Sequence, residues 1–399
     1  MDPIVGLRRV PAADLAAVGS DQVLVDRLRG EIAAGGPITF ARFMDVALYD
    51  PERGYYRSED ARPGREGDFL TAPEAHPIFG QVVARQLDDA WVRLGRPDRF
   101  VVREHGAGTG ALAAAILDGL RSDGSDLATT IRYRPVEVDD RRLSALRDRL
   151  TAAGRAGALE EDDGRPIVGA ILANEVLDAL PVHRVAVLGG RLRELFVDWR
   201  DGAFIDVAGE PSTPALAARL EAENVSMVEG QRAEVCLAID GWIADVAAGL
   251  ARGLLLLVDY GHPAAELYDA GRRPGGTLRA YVRHTVHDDP YRHVGRQDLT
   301  AHVDVTAVER AAARAGLDRL GLTTQAEFLA SLEAGELLVR LQSGPGTTLA
   351  AYLEARSALA RMLDPAAMGR FRVMLFGKGL EPQPPLRGLS VRIARGEGE

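Results

Sequence analysis

Three glycines within five residues, preceded by an acid, carry the clearest chemical signal in the chain. The run 104–110 (EHGAGTG) follows the short apolar segment 100–102 and opens into a helical pattern that begins at Ala111. Glycine permits positive φ and a close approach of the main chain to a ligand, and a helix N-terminus offers N–H groups without partners. The pattern of strand, glycine loop and helix therefore predicts a backbone cradle for a nucleotide-like ligand.

Two acids indicate which ligand this is. The glycines and Ala111 also satisfy the fingerprint of dinucleotide-binding folds. Glu104, however, stands two residues before the first glycine, where it would repel a pyrophosphate and attract a cationic amino acid. Glu137, from which a carboxylate would bind ribose hydroxyls, comes later than the usual spacing of about 20 residues. Both features favour S-adenosylmethionine (SAM), a zwitterion with a sulfonium and a ribose but no phosphate, over a nicotinamide cofactor.

The elements that must position these residues alternate along the chain. Helical periodicity covers residues 22–35, 39–48, 78–94, 141–153 and 305–315, and apolar runs typical of buried strands cover 131–136, 167–173 and 254–258. Such alternation predicts an α/β fold with a largely parallel sheet and helices on both faces. Short strand patterns with Gly-Gly and Asp-Gly turns at 184–207 predict a β-hairpin insertion.

The same pattern divides the chain into three parts. Residues 1–79 form an N-terminal helical cap with a lid loop, and residues 80–385 form the main domain with an accessory insertion at about 184–235. Residues 386–399 form a flexible tail, because proline, glycine and arginine dominate there. The insertion could bind a client or a second copy of the chain, and its residues do not decide between them.

Polar side chains recur where the predicted strands end. They are Glu104, Glu137, the pair Asn174 and Glu175, and Asp259. In open α/β sheets, ligands bind at the carboxyl ends of the strands. We therefore expect the functional site along this edge of the sheet.

Composition excludes several classes of function. The 399 residues carry a formal net charge of −10, so a broad surface for nucleic acid is not expected. Cys236 is the single cysteine, which fits a reducing compartment. The first residues lack the apolar core of a signal peptide, and no run approaches the roughly 18 apolar residues of a membrane span. We expect a cytoplasmic protein without nucleic-acid or membrane partners.

Six blocks in chain order carry a family resemblance. They are residues 67–74 (GDFLTAPE) with 79–80, residues 104–110, residues 173–183 (ANEVLDALPVH), residues 258–261 (VDYG), residues 298–304 (DLTAHVD) and residues 324–329 (TQAEFL). Together they resemble the MidA-type methyltransferases, the family of the mitochondrial complex I assembly factor that methylates a protein arginine. The resemblance implies a class I, Rossmann-like methyltransferase fold and SAM as the methyl donor.

The resemblance also implies roles for individual residues. The residues that would hold SAM are Glu104, Gly106, Ala107, Gly108, Gly110, Glu137, Asn174, Glu175 and, in the lid loop, Thr71. If the acceptor is arginine, its guanidinium stays charged, and its planar fork favours carboxylates. The acids that would orient it are Glu175, Asp178, Asp259 and Asp304, with His302 orienting Asp304 or acting as a general base for an oxygen acceptor.

Departures from the family's pattern leave the acceptor open. His105, the pair Val176 and Leu177, and Val305 replace the residue types that are usual at those positions. The leading hypothesis is a protein arginine methyltransferase. The alternatives are an O- or N-methyltransferase for a small molecule or peptide, and a chaperone-like assembly factor with little activity. A homodimer is compatible with each.

Four histidines fall within twenty residues of each other. They are His284, His287, His293 and His302. Their spacing matches no recognised zinc pattern, and no cysteine accompanies them. No metal site is predicted.

Overall fold

The computed structural model describes residues 18–58, 71–283, 285–344 and 346–391. Most of the predicted lid loop, including residues 67–70, lies outside the described residues. The helices are α1 (Gln22–Gly35), α2 (Phe40–Tyr49), α3 (Ala72–Ala75), α4 (Ile78–Arg93), α5 (Ala111–Ser122), α6 (Leu127–Thr130), α7 (Asp140–Ala152), α8 (Ala215–Ala222), α9 (Ala238–Ala248), α10 (Ala264–Leu267), α11 (Val305–Arg314), α12 (Gln325–Ser331), α13 (Ala334–Ser343) and α14 (Leu349–Leu363). The strands are β1 (Ile38–Thr39), β2 (Phe100–His105), β3 (Ile131–Val136), β4 (Ile167–Asn174), β5 (His183–Leu188), β6 (Arg191–Arg200), β7 (Ala203–Gly209), β8 (Arg232–Val235), β9 (Leu250–Asp259), β10 (Gly261–His262), β11 (Arg279–Val282), β12 (Thr285–His287), β13 (Asp298–Thr300), β14 (Val303–Asp304), β15 (Asp318–Thr324) and β16 (Arg372–Lys378).

A six-stranded sheet with the order β15-β16-β9-β4-β2-β3 forms the centre of the fold. Strands β3, β2, β4 and β9 are parallel, whereas β16 pairs antiparallel with both β9 and β15. The register places Glu104 beside Leu172 and Asn174 beside Val258, so the carboxyl ends of the parallel strands meet at one edge. The predicted largely parallel α/β sheet is confirmed.

Helices cover both faces of this sheet. Helices α4 and α5 bury Phe79 and Ile116 against one face, and α9 and α11 bury Ile243 and Val308 against the other. Strand β4 is apolar along nearly its whole length because neither of its faces meets solvent. The two layers hold the glycine loop and the strand ends in fixed relative positions.

The N-terminal cap and the predicted insertion form one further layer. Strands β5, β6 and β7 are joined by the tight turns 189–190 and 201–202, as the Gly-Gly and Asp-Gly pairs predict. Strand β1 of the cap pairs with β6, and β8 pairs with β5. Helices α1 and α2 pack on this sheet, where Leu28, Phe43, Val197 and Phe204 share one core.

The first residues of the predicted flexible tail, 386–391, pack against the main domain. Leu386 and Leu389 are buried in the main core, and Arg387 N donates a hydrogen bond to Asp89 Oδ2 at 3.0 Å. The apolar residues at the two ends of a short 3₁₀ turn are responsible. Residues 392–399 lie outside the described part of the chain.

A pair of buried carboxyl groups joins the accessory layer to the main domain. Asp304 caps α11, where its Oδ1 accepts a hydrogen bond from Ala307 N at 3.0 Å. Glu223, which follows α8 and has a fully buried side chain, faces Asp304. Burial, followed by the hydrogen bond and the charge of Asp304, raises the pKa of Glu223 to about 8. Glu223 is therefore largely protonated at neutral pH.

This pair predicts how stability depends on pH. A carboxyl whose pKa rises from 4.5 to about 8 on folding favours the folded state at low pH, and this contribution is lost progressively as the pH rises between those values. Glu223→Gln cannot ionise and keeps a hydrogen-bonding group. We expect the variant to melt at a higher temperature than the wild type at pH 8.5, with the difference disappearing by pH 5. Glu221→Gln, exposed at the end of α8, is the matched control for calorimetry at both pH values.

Candidate active site

The glycine loop after β2 has the geometry of a backbone cradle. Gly106, Gly108 and Gly110 have φ values of 68°, 52° and 80°, which side chains disfavour. Gly106 N donates to Val136 O at 2.9 Å, so the loop is tied to the end of β3. A Cβ on Gly110 would lie 2.7 Å from the Leu146 side chain, so the loop packs closely on α7. The three glycines are required by backbone conformation and by close packing.

Glu137 holds the loop from the neighbouring strand. Its Oε2 accepts a hydrogen bond from Gly108 N at 2.8 Å, and its Oε1 accepts from Val138 N at 2.9 Å and Asp139 N at 3.2 Å. The carboxylate thus lies beside the cradle at the end of β3. Its predicted contact with ribose hydroxyls is compatible with this position and stays a prediction.

Two more acids lie close to the cradle. Glu104 is 3% exposed, and Tyr133 OH donates to its Oε2 at 2.5 Å. Burial raises the pKa of Glu104 to about 8, although the hydrogen bond from Tyr133 lowers it. The nearby Glu137 and Glu74 carboxyls raise this pKa further. Glu74 Oε1 accepts from Thr109 Oγ1 at 3.3 Å. Carboxyl groups therefore gather where the amino group and the sulfonium of SAM would lie, and a bound cation would favour the ionised form of Glu104.

At the end of β4, Glu175 is held in a backbone conformation that is unusual for a side chain. Its φ is 53°, and its N donates to Val258 O at 2.8 Å. Asn174 Nδ2 donates to Glu175 Oε1 at 3.0 Å, and Ala72 N–H also donates to this carboxylate. Burial, followed by the charge of Asp178, raises the pKa of Glu175 to about 8. Thr71 precedes Ala72 as the cap of α3, so the segment after the lid loop reaches the site.

Asp178 follows on the 3₁₀ turn Leu177–Ala179 and is 5% exposed. Tyr260 OH donates to its Oδ2, whereas its Oδ1 is buried and has no hydrogen-bond partner of good geometry among the described residues. Burial raises the pKa of Asp178 to about 6, although the hydrogen bond from Tyr260 opposes the rise. Asp178 is therefore ionised at neutral pH while Glu175 is largely protonated.

Asp259 lies at the predicted edge, at the end of β9. Its side chain is fully buried, and its Oδ2 accepts hydrogen bonds from the N–H groups of Val176, Leu177 and Asp178 at 3.2, 2.9 and 3.3 Å. Its Oδ1 accepts from Tyr260 N at 2.9 Å. Burial, followed by the charge of Asp178, raises the pKa of Asp259 well above its usual range. Asp259 therefore supports the turn that carries Asp178, and its predicted contact with the acceptor stays a prediction.

The structure gives Asp304 and His302 partners other than Glu175 and Asp178. Asp304 is occupied as the cap of α11 and faces Glu223, because the strand β14 pairs with β10 and turns directly into that helix. The His302 ring packs 5.5 Å from the Tyr260 ring and 5.4 Å from the His262 ring. Burial, followed by His262 and nearby arginines, lowers the pKa of His302 to about 3, so the ring is neutral.

The remaining histidines form no common cluster with His302. The His287 and His293 rings lie 5.8 Å apart, and His284 lies outside the described residues. Within the described ranges, no three side chains of the metal-binding types converge.

The structure adds three residues that sequence reasoning had not assigned to the site. Tyr49 OH donates to Ala179 O at 3.0 Å, and Tyr56 OH donates to Asp298 Oδ1 at 2.8 Å. Asp298 opens the block 298–304, which is the signal that could have marked it. Tyr49 and Tyr56 lie in the cap, more than 100 residues from the acids they approach, and no local pattern indicates that contact.

The residues present fit SAM as the donor. Three glycines leave the backbone of the loop open to a ligand, and Glu74, Glu104 and Glu137 lie around it. When bound, SAM supplies the methyl group that is transferred. The segment that carries the carboxyls at the end of β4 lies beside this cradle, since a Cβ on Gly106 would lie 2.8 Å from the Val176 side chain.

Comparisons with known proteins agree with this site. A family model for S-adenosyl-L-methionine-dependent methyltransferases matches residues 82–323. The mitochondrial protein arginine methyltransferase NDUFAF7 homolog of Drosophila melanogaster is 31% identical over 93% of this chain and 88% of its own length. Human mitochondrial NDUFAF7 is 30% identical over 77% of this chain and 73% of its own length. A Burkholderia thailandensis protein, solved bound to S-adenosyl-homocysteine, is 34% identical, with a TM-score of 0.83 over 96% of this chain and 97% of its own.

The fold and the site define a class I SAM-dependent methyltransferase. Within that class, the chain belongs to the MidA-type family. The predicted family, enzyme class and methyl donor are confirmed.

The expectation of a cytoplasmic protein is wrong. The curated relatives described above are named as mitochondrial proteins. A single cysteine is equally compatible with a mitochondrial protein, so this feature could not support the expectation. No helix in the described part of the chain is long and apolar enough to span a membrane.

Glu137→Gln tests the donor site. The substitution removes the charge that would bind the ribose and places an NH₂ group against backbone N–H donors. Hydrogen bonds to charged groups contribute about 1.5–3 kcal/mol, so we expect S-adenosyl-homocysteine to bind roughly 10- to 100-fold more weakly in calorimetry. Glu161→Gln, exposed on a nearby loop, is the control and should bind like the wild type. Equal affinity in both variants would remove Glu137 from the donor site.

Proposed function

We propose that this enzyme transfers the methyl group of SAM to the guanidino group of an arginine in a protein. The observation that carries the proposal is a pair of acids, the partly buried Glu175 and the buried Asp178, at the end of β4 beside the donor cradle. Relatives that match most of this chain are named protein arginine methyltransferases. The two acids support arginine as the methyl acceptor.

Buried carboxylates need a positive partner or several hydrogen-bond donors. Asp259 has four backbone donors. Burial and the charge of Asp178 raise its pKa well above the usual range, so a proton rather than a cation neutralises it. Glu175 and Asp178 have fewer, and within the described residues neither forms an ion pair with a basic side chain. A guanidinium that enters between them would supply both the charge and several N–H donors.

The two acids would act differently during transfer. Asp178, ionised and oriented by Tyr260, would hold the guanidinium and fix the direction of one nitrogen. That nitrogen would form the new bond to the methyl carbon as the carbon–sulfur bond breaks and S-adenosyl-homocysteine leaves with the electron pair. The methylated nitrogen must then lose one proton. Glu175, whose pKa lies near 8, is the stronger base of the two and would accept this proton. Fixed orientation of the reacting groups supplies much of the rate increase in such a displacement.

Labelled transfer tests the proposal. Purified protein is incubated with methyl-labelled SAM and a lysate of a strain that lacks its gene, and the protein and small-molecule fractions are counted separately. We expect label in a discrete protein band and, after hydrolysis, in methylarginine. Label confined to the small-molecule fraction would overturn the proposal in favour of a metabolite methyltransferase.

Glu175→Gln in the same assay separates chemistry from donor binding. The amide cannot accept the proton, so we expect the labelled band to fall by about 100-fold or more. S-adenosyl-homocysteine should bind as tightly as it does to the wild type. Glu221→Gln, exposed and far from β4 in sequence, serves as the matched control. Wild-type turnover of Glu175→Gln would exclude the residue from the acceptor role.

The acids also predict a pH profile. Arginine stays charged throughout, whereas Glu175 changes from neutral to ionised as the pH passes about 8. At subsaturating acceptor, the initial rate should therefore rise about tenfold per pH unit below that value and level off above it. A rate that is flat between pH 6 and 8 would contradict the assignment of Glu175 as the base.

A further inference from the structure

A third carboxyl faces the acids at the end of β4. Asp298 begins β13 and is 3% exposed, and its Oδ1 accepts the hydrogen bond from Tyr56 OH at 2.8 Å. It lies near enough to Glu175 to contribute, after burial and Asp178, to the raised pKa of that residue. Asp298 therefore approaches the acceptor acids from a different sheet, the one formed by β11, β12 and β13.

Tyrosines enclose the space between Asp178 and Asp298. Both carboxyls are charged neighbours of Tyr49, from the cap, and of Tyr281, from β11. The Tyr49 and Tyr56 rings pack 5.4 Å apart, and Tyr49 OH is anchored on the turn that carries Asp178. The three carboxyls thus lie around one group of tyrosines, and we call the region between them the recess.

Two buried oxygens in this recess point to a ligand that donates hydrogen bonds. Asp178 Oδ1 and Asn174 Oδ1 are both buried, and neither has a hydrogen-bond partner of good geometry among the described residues. A buried acceptor without a donor is costly, and native structures satisfy nearly all of them. A cationic group with several N–H donors would satisfy both atoms.

We propose that Asp298, held by Tyr56, is a third binding residue for the acceptor guanidinium, so that the recess selects a guanidinium over an ammonium. The proposal rests on the proposed arginine acceptor. Glu175 and Asp178 approach from the end of β4, and Asp298 approaches from β13. A planar guanidinium directs five N–H donors outward and stacks on aromatic faces, which matches carboxylates on separate sides and tyrosine walls. An ammonium, with three donors on one nitrogen, reaches fewer of these groups.

The experiment measures binding of blocked amino acids to the protein saturated with S-adenosyl-homocysteine. The probes are N-acetyl-arginine methylamide, the lysine analogue of the same charge and the neutral citrulline analogue, each titrated by calorimetry at pH 8.5. We expect the wild type to bind the arginine probe most tightly. Asp298→Asn should weaken that binding by about tenfold or more and reduce the preference over the lysine probe, because a charged hydrogen-bond acceptor is lost.

Two further variants test whether the effect of Asp298→Asn is specific to its carboxylate. Tyr56→Phe leaves the Asp298 carboxylate but removes its hydrogen bond, so it should weaken arginine binding less than Asp298→Asn does. Glu223→Gln changes a buried carboxyl outside the recess and should bind all probes like the wild type. The affinity for S-adenosyl-homocysteine, measured for every variant, reports whether the donor site is intact.

The results separate the two proposals. Wild-type protein that binds the arginine and citrulline probes equally would overturn the arginine acceptor itself. Wild-type protein that prefers arginine, with that preference unchanged in both Asp298→Asn and Tyr56→Phe, would overturn the role of Asp298 alone. Loss of arginine binding in Asp298→Asn, with donor affinity retained, supports it.

Discussion

Carboxyl groups withdrawn from water at the ends of parallel strands are the constraint on which this structure depends. The register of β2, β3, β4 and β9 brings Glu104, Glu137, Glu175 and Asp259 to one edge of the sheet. A carboxylate removed from water is destabilising unless donors or cations compensate it. Backbone N–H groups bind Glu137 and Asp259, so these two acids hold loops in place. Burial raises the pKa values of Glu104, Glu175 and Asp259, so protons neutralise these three carboxyls at neutral pH.

The cap and the insertion complete the site from outside the methyltransferase core. Strand β1 joins the insertion sheet, and α2 and the turn after it bring Tyr49 and Tyr56 to the acceptor acids. Exclusion of water by this layer strengthens the electrostatic interactions inside, because the local dielectric constant falls. Burial also raises the pKa of Glu175, the residue that we propose as the base for the acceptor's proton. The accessory layer therefore contributes residues to the proposed acceptor site as well as to the fold.

The acids show which roles residue type and motif position can predict and which they cannot. Glu175 and Asp178 meet at the predicted edge, and Glu137 and the glycines form the predicted cradle. Asp259 and Asp304 carry the same functional group in equally suggestive motifs, yet one supports a turn and the other caps a helix. Motif position cannot separate these roles, because a carboxylate that accepts N–H groups and one that binds a ligand have the same chemistry. Asp298, in the same block as Asp304, lies on the acceptor side instead.

The sequence by itself determined the local features of this protein. Helix and strand periodicity, the glycines that require positive φ and the capping residues act over a few neighbours, and they specify the α/β alternation and the donor loop. Tertiary structure alone decided which acids meet, which of them keep a proton, and that the cap pairs with the insertion. Those outcomes depend on strand register and on burial between segments more than 100 residues apart, such as Tyr56 and Asp298. Burial and the distance between charges exist only in the folded chain, and they set both the pKa of each acid and its place in the site.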